Sequence, residues 1–288
     1  MPALRLPSPL TELHDDRLTA RGVRLWLKRD DLIHPDLPGN KWRKLTYNLQ
    51  AAAAGGHRTL LTFGGAYSGH IRATAAAGHY FGFGTVGVIR GEPHLPLNPV
   101  LAQATGHGMR LQYLDRTRYR AKDDPALLAR LRGQWGDFYL LPEGGSNALA
   151  ARGCAELAAE IGPGYDVVCC PAGTGGTLAG LAAGLAPGQR AIGFPVLKGG
   201  EFLAAEVSRL QREAFGGPAG QWQLECGFHH GGYARRTPEL DAFTGDFAAR
   251  HGLVLDWVYV AKMMSGIYAL AGQNVLPAGS RIVAVITG

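Results

Sequence analysis

The stretch Pro171-Ala172-Gly173-Thr174-Gly175-Gly176-Thr177 joins an apolar run to a small-residue run and holds the residue types that grip an anion. Glycines let backbone N–H groups come close to a ligand, a helix start supplies partial positive charge, and the Thr174 and Thr177 hydroxyls can donate. Such a cup suits a phosphate. A mononucleotide loop of the G-x-x-x-x-G-K-[ST] kind requires a lysine, whereas Leu178, Ala179 and Gly180 follow here. A dinucleotide fingerprint requires a third glycine where Leu178 stands. A monophosphate group is favoured, although the same glycines would also serve tight packing of a helix on a sheet.

The second chemical block is Gly39-Asn40-Lys41-Trp42-Arg43-Lys44-Leu45, preceded by Leu27-Lys28-Arg29-Asp30-Asp31-Leu32. A lysine amine can bond a carbonyl carbon only when neutral, so it must be buried or set near other positive charge. The start of a helix crowded by Arg43 and Lys44 is such a setting for Lys41. In isolation a lysine at this place would be a solvated surface residue. Adjacent His229 and His230 lack a third ligand at metal-site spacing and read as a loop, so no metal is expected. Glu143 is the single acid of a glycine-rich loop and reads as structural rather than as a base.

Apolar residues make up 46% and charged residues 18% of 288, a globular composition with enough chain for one large or two modest domains. No apolar run approaches the roughly 20 residues of a bilayer span, so no membrane is expected. The first ten residues hold three prolines and no apolar core of a secretory leader, which points to a cytoplasmic protein. The charge of +6 comes from scattered basic residues without a nucleic-acid-binding signature, so a small anion is a better partner than nucleic acid. Cys154, Cys169, Cys170 and Cys226 show no C-x-x-C pairing and read as packing residues.

Around these blocks the chain alternates strand and helix signals. Val23 to Lys28 reads as a strand, Asp30 to Gly39 as turns, and Lys41 to Ala54 as a helix stopped by Gly55 and Gly56. Strands are expected at Thr59 to Phe63, Thr85 to Ile89, Met109 to Leu114, Tyr165 to Cys170 and Ala191 to Val196, with a last apolar run at Arg281 to Ile286. Between them lie helices from Ile71 to Tyr80, Pro99 to Gly106, Ala148 to Ile161 and from the cup to Leu185, while Gly64 to His70 and Pro142 to Asn147 read as loops. This β-loop-α repetition predicts an α/β protein with parallel sheets and right-handed crossovers.

Taken in order, the K-R-D-D-L and G-N-K-x-R-K-L blocks, Gly64-Gly65-Ala66-Tyr67-Ser68-Gly69-His70, P-E-G-G-S-N at 142–147, G-T-G-G-T and D-x-V-Y-x-x-K-M-M at 256–264 resemble one family across nearly the whole chain. It is the tryptophan-synthase-β-like, fold type II class of pyridoxal-phosphate enzymes, and within it the branch of 1-aminocyclopropane-1-carboxylate deaminase and D-cysteine desulfhydrase. The resemblance implies two domains with parallel-rich sheets flanked by helices: residues 1–43 and 142–288 as a large cofactor-binding domain, 44–141 as a small one. It implies that Lys41 binds the cofactor aldehyde, with Asn40 beside it, and that Gly173, Thr174, Gly175, Gly176 and Thr177 hold the phosphate. Thr287 would face the pyridine nitrogen, and a neutral partner there tempers the ring as an electron sink. Ser68, Gly69 and His70 would bind the substrate at a helix start, with Ser68 and Tyr259 next to its reacting carbon. For Ser68 a plain helix cap is an equal and compatible reading; for Tyr259 the bland alternative is core packing at a strand end.

Departures from the family pattern bear on the substrate. Gly69 replaces an asparagine that hydrogen-bonds the cofactor's ring hydroxyl, a contact left to Asn40, Asn147 or water. Val260 stands where deaminases carry glutamate and desulfhydrases usually threonine, Trp257 and Ala261 replace proline and glycine, and the sequence ends at Gly288 inside a usual T-G-G loop. The expected activity is α,β-elimination from a small amino acid in the manner of D-cysteine desulfhydrase. Ring-opening deamination of 1-aminocyclopropane-1-carboxylate and cofactor binding without turnover are the rivals, and a homodimer is implied.

Overall fold

The computed structural model describes residues 2–287. In chain order the elements are β1 (Leu10–Leu13), α1 (Asp16–Thr19), β2 (Arg24–Lys28), α2 (Asn40–Ala54), β3 (Thr59–Gly65), α3 (Gly69–Phe81), β4 (Gly84–Arg90), α4 (Pro99–Gly106), β5 (Arg110–Leu114), α5 (Arg116–Arg120), α6 (Pro125–Trp135), β6 (Tyr139–Leu141), α7 (Ala148–Ile161), β7 (Val167–Ala172), α8 (Gly176–Gly184), β8 (Arg190–Pro195), α9 (Leu203–Phe215), β9 (Gln221–Leu224), α10 (Pro238–His251), α11 (Val260–Gly272) and β10 (Arg281–Val285). They build two sheets. One has six strands in the order β1-β2-β10-β7-β8-β9, the other four in the order β5-β4-β3-β6. Every pairing is parallel except β1 with β2.

The strands explain themselves by burial. β7 is buried at all six positions and β4 at its five inner ones, the continuous apolar runs of strands covered by helices on both faces. One face of the six-stranded sheet packs on α10 and α11 through Phe194, Phe247, Met264 and Ile282; the other packs on α7, α8 and α9 through Leu157, Leu178, Leu210 and Val283. Helices start at side-chain caps: Ser68, Asn98, Asn147 and Thr237 each accept a hydrogen bond from a first-turn N–H.

Several expectations shift. The stretch read as a loop from Gly64 to His70 is shorter, because β3 runs to Gly65 and α3 begins at Gly69. The strand expected from Tyr165 starts at Val167 instead, since the Tyr165 carbonyl accepts from the Gln189 side chain and Asp166 is held by Arg281. Tyr259 lies at the start of a helix and not at a strand end. The expected boundary between residues 43 and 44 falls inside α2, whose apolar face (Leu45, Leu49, Ala52) joins the cluster of α3 and the four-stranded sheet while its first turns face α7.

Helices α2, α7 and α8 stack with almost no space between their backbones. A Cβ on Gly153 of α7 would lie 2.0 Å from the Arg43 carbonyl oxygen of α2, and one on Gly180 of α8 would lie 2.0 Å from the Ala151 carbonyl oxygen of α7. Only hydrogen fits there. Gly180→Ala is therefore expected to push α8 off α7 and to cost about 3 kcal/mol, read as a lowered midpoint in urea unfolding; an unchanged midpoint would refute this packing.

Candidate active site

Four segments leave the carboxyl ends of parallel strands and meet: the turn after β2 that leads to Lys41, the Ser68 loop after β3, the glycine-rich turn after β7, and Thr287 after β10. Crevices at the carboxyl ends of open parallel sheets are where such folds bind ligands. Gly39 makes the first meeting possible. Its φ is +60°, and a Cβ there would stand 1.7 Å from the Thr287 carbonyl oxygen, so any side chain would drive β10 and the start of α2 apart.

The start of α2 is held from below by buried charges. Arg43 donates to both oxygens of Asp30, at 2.7 and 2.8 Å, and to both oxygens of Glu160, each at 3.0 Å. Lys28 Nζ reaches Glu160 at 2.6 Å and the Ser8 carbonyl at 2.6 Å, and the Ser8 hydroxyl donates to Asp30 at 2.6 Å. Two cations meet two anions, so the cluster is neutral, which buried charge requires. Burial pulls the Glu160 pKa up, but the hydrogen bonds from Arg43 and Lys28 outweigh it and hold the carboxyl below its usual range. This geometry corrects one expectation: Arg43 does not crowd Lys41, because it is spent on the two carboxylates behind the helix.

Lys41 is half-buried, and its Nζ donates to Asn40 Oδ1 at 2.7 Å and lies 5.9 Å from the centre of the Tyr259 ring. Burial first, then the charges of Lys44 and Arg72, lower its pKa to about 7 against the opposing pull of Asp256. Near neutrality much of the amine is therefore unprotonated and nucleophilic. Asn40 is engaged on both sides, since its Nδ2 donates to Thr177 Oγ1 at 2.9 Å.

The glycine-rich turn lies directly across. Gly175 caps α8, whose first N–H groups have no acceptor within the helix. Thr174 Oγ1 sits 2.6 Å from Ser146 Oγ, and Lys44 Nζ donates to Ser146 Oγ at 2.9 Å and to the Gly144 carbonyl at 3.0 Å. Lys44 is buried, and among the described residues no carboxylate pairs with it. A buried cation beside a ring of donors calls for an anion. Lys44 and Ser146 were not among the predicted site residues; their signal was present, because both belong to the recognised blocks.

The other predicted residues separate into those in the crevice and those behind it. Ser68 caps α3, accepting from the Ile71 N–H at 3.3 Å, and Gly69 is exposed with Lys41 Cε 3.8 Å from where its Cβ would be. The His70 side chain is buried, 2.9 Å from the Thr62 hydroxyl, with Nδ1 unpartnered. Burial, then Lys44 and Lys41, lower its pKa to about 3, so it stays neutral. Tyr259 donates its backbone N–H to Asp256 at 2.7 Å, and its hydroxyl lies 3.4 Å from that of Tyr233. Burial, then Tyr233, push the Tyr259 pKa above its ordinary value. Tyr233, missed in the sequence, carried no signal beyond being an aromatic in a glycine-rich turn.

Asn147 cannot replace the asparagine missing at 69, because its side chain caps α7 and exchanges hydrogen bonds with Asn48. Glu143 is held by the Tyr119 hydroxyl at 2.9 Å and by Lys122 at 3.4 Å. His230 bonds Thr237 at 3.0 Å, and among the described residues no group of three or more metal-ligating side chains occurs. Val260 is buried with Phe194 and Ile267 in the core under α11. Thr287 is buried beside Gly39; Gly288 lies outside the described residues.

Fold and site together define a cofactor enzyme of two parallel-rich sheets in which a lysine and an anion cup face each other. The pattern of the pyridoxal-phosphate dependent enzymes matches residues 4–288. The chain belongs to that family, whose cofactor is pyridoxal 5′-phosphate. It is 30% identical to a putative 1-aminocyclopropane-1-carboxylate deaminase of Pyrococcus horikoshii, over 93% of this chain and 85% of that protein. It is also 30% identical to the mitochondrial bifunctional D-cysteine desulfhydrase/1-aminocyclopropane-1-carboxylate deaminase of Arabidopsis thaliana, over 91% and 71%, and to the D-cysteine desulfhydrase of Yersinia pestis, over 85% and 80%. A crystal structure of an ACC deaminase homologue superposes with a TM-score of 0.86 at 26% identity, covering 100% of this chain and 90% of that one. The L-serine ammonia-lyase of Rhizomucor miehei, at 15% identity and a TM-score of 0.69, shares the fold.

Two outcomes follow from these charges. Acylation of Lys41 in cofactor-free protein should be half-maximal near pH 7; a midpoint near that of an ordinary lysine would refute the burial described. Glu160→Gln should cost about 3 to 5 kcal/mol by leaving buried cations uncompensated, measured by urea unfolding. Because the Glu160 carboxyl is depressed in the folded chain, its stabilisation is present above the unfolded carboxylate pKa and is lost as pH falls through the folded value. The penalty should therefore shrink in acid, and a penalty independent of pH would contradict the ion pairs.

Proposed function

We propose that the protein is a lyase that removes a β leaving group from a small amino acid, with D-cysteine as the leading substrate. The observation that carries this is the placement of Lys41 Nζ, 5.9 Å from the centre of the Tyr259 ring and tied through Asn40 to Thr177 of the glycine-rich cup. When bound, pyridoxal phosphate withdraws electrons from the substrate's α carbon, which makes its hydrogen acidic. Lys41 Nζ, once neutral, is the base for that proton. Tyr259, with its pKa raised, stays protonated through the physiological range and serves as a hydrogen-bond donor toward the departing sulfur and not as a base. Ser68 and the first N–H groups of α3 orient the carboxylate from the opposite sheet. Gly173 to Thr177, Lys44 and Asn40 would hold and align the cofactor, and Thr287 its ring.

For D-cysteine the balance is D-cysteine plus water giving pyruvate, sulfide and ammonia. Val260 favours this reading over ring opening of 1-aminocyclopropane-1-carboxylate, since an apolar side chain in the core offers no acid beside Tyr259. A large domain of residues 1–43 and 142–288, a small one of 44–141, a homodimer and a cytoplasmic location belong to the same proposal. Sheet membership supports the first two, and the family resemblance supports the homodimer; light scattering of the purified enzyme would measure its mass.

Purified enzyme is expected to release pyruvate and sulfide from D-cysteine in equal amounts, and Lys41→Ala to lose the visible band of bound cofactor and at least a thousandfold in rate. Release of 2-oxobutanoate from 1-aminocyclopropane-1-carboxylate as the faster reaction would overturn the substrate assignment. Retention of the visible band in Lys41→Ala would overturn the site.

A further inference from the structure

The first turn of α11 buries an amine: Lys262 stands three residues after Tyr259 and is 0% exposed. Its Nζ donates to the Gly232 carbonyl at 2.7 Å and to the Val196 carbonyl at 3.3 Å, and among the described residues no carboxylate pairs with it. Burying an amine is costly unless its hydrogens find acceptors, and both acceptors here are main-chain carbonyls, one after β8 and one in the turn 229–235. The Val196 N–H donates to the Ala172 carbonyl, next to the glycine-rich cup. In the turn, His230, Gly231, Gly232 and Ala234 have φ of +48°, +87°, +114° and +50°. Residues with side chains are strained in that region, and they stay there only where the surroundings fix them. The bonds from the Gly232 N–H to the His229 carbonyl and from the Arg235 N–H to the Gly232 carbonyl are internal to the turn, whereas the Lys262 bond ties it to α11.

Tyr233 follows Gly232 directly. It is 48% exposed and joins no buried cluster, so its backbone places the ring more than packing does. Yet it meets Tyr259 edge to face, with ring centres 6.0 Å apart and hydroxyls 3.4 Å apart. Tyr259 in turn lies against the cup, since a Cβ on Gly173 would be 3.2 Å from its ring.

We propose that Lys262 is a positioning residue for the elimination: by bonding the Val196 and Gly232 carbonyls it fixes the turn 229–235, so that Tyr233 orients the Tyr259 hydroxyl. This rests on the function proposed above, in which Tyr259 faces the leaving group. Lys262 acts only through the two tyrosines.

The experiment is a double-mutant cycle on the holoenzyme, read as kcat for pyruvate release from D-cysteine. Lys262→Met, which has no hydrogen to donate, and Tyr233→Phe should each lower kcat about tenfold, the worth of one hydrogen bond, with the visible band of the cofactor kept. The double variant should be no slower than the slower single one, because both changes remove the same constraint. A double-variant loss equal to the product of the single losses would overturn the assignment, as would full rate in either single variant. Where Lys262→Met does not fold, Lys262→Gln enters the same cycle under the same criteria. Should the unaltered enzyme release no pyruvate from D-cysteine, the proposed function fails, and hydrogen exchange then tests Lys262 alone. Amides of residues 229–235 exchanging about tenfold faster in Lys262→Met, with those of α10 unchanged, keep the tether. Equal rates in the turn end it, as does the same rise throughout α10.

Discussion

The site depends on a buried, neutral cluster of four charges. Arg43 is held on both sides: Asp30 comes from the turn after β2 and Glu160 from the last turn of α7. With Lys28 completing the balance, the first turn of α2 has a single position relative to the six-stranded sheet. Removing Glu160 leaves Lys28 and part of Arg43 uncompensated, both with almost wholly buried side chains, a penalty that exceeds the worth of a surface ion pair. Lys41 thus stands on a mount whose stiffness is electrostatic, and its own chemistry comes from the other face of the same helix.

On that face the charges are left unbalanced on purpose. Burial, then the charge of Lys44, lowers the Lys41 pKa to about 7; Arg72 adds to the lowering, and Asp256 and Cys154 oppose it. Burial lowers the pKa of Lys44 as well. The two sheets divide this work: the cup after β7 and Lys44 suit a phosphate, and α3, rising from β3, suits a carboxylate. Tyr259 closes the gap between them from the start of α11, held there by Asp256. Close approach of α2, α7 and α8 through Gly153 and Gly180 brings the cup within hydrogen-bond reach of Asn40 and Lys44.

Much of this was legible in the residue order. Periodicity and turn residues placed α2, α3, α7 and the strands β2, β3, β4 and β7 within a few residues, because local burial patterns and caps are encoded by neighbours in the chain. The glycine-rich cup and the lysine block were readable for the same reason: each works through contiguous backbone and side chains. Readings failed where one residue had to be assigned to one of two faces. Arg43 and Lys44 are adjacent and both basic, but a helix turns about 100° per residue, so one serves the structural cluster and the other the cup.

By itself the sequence determined the α/β class through its alternating strand and helix patterns, and the family and cofactor through the resemblance of its ordered blocks to the pyridoxal-phosphate enzymes. Only the tertiary structure decided which cations are paired and which are free, that the His70 ring faces Thr62 and not the crevice, that Asn147 is committed to Asn48, and that Tyr233 meets Tyr259. These are contacts between residues far apart in the chain. Proton affinity and hydrogen-bond capacity depend on such neighbours and on depth from water, neither of which a linear pattern contains.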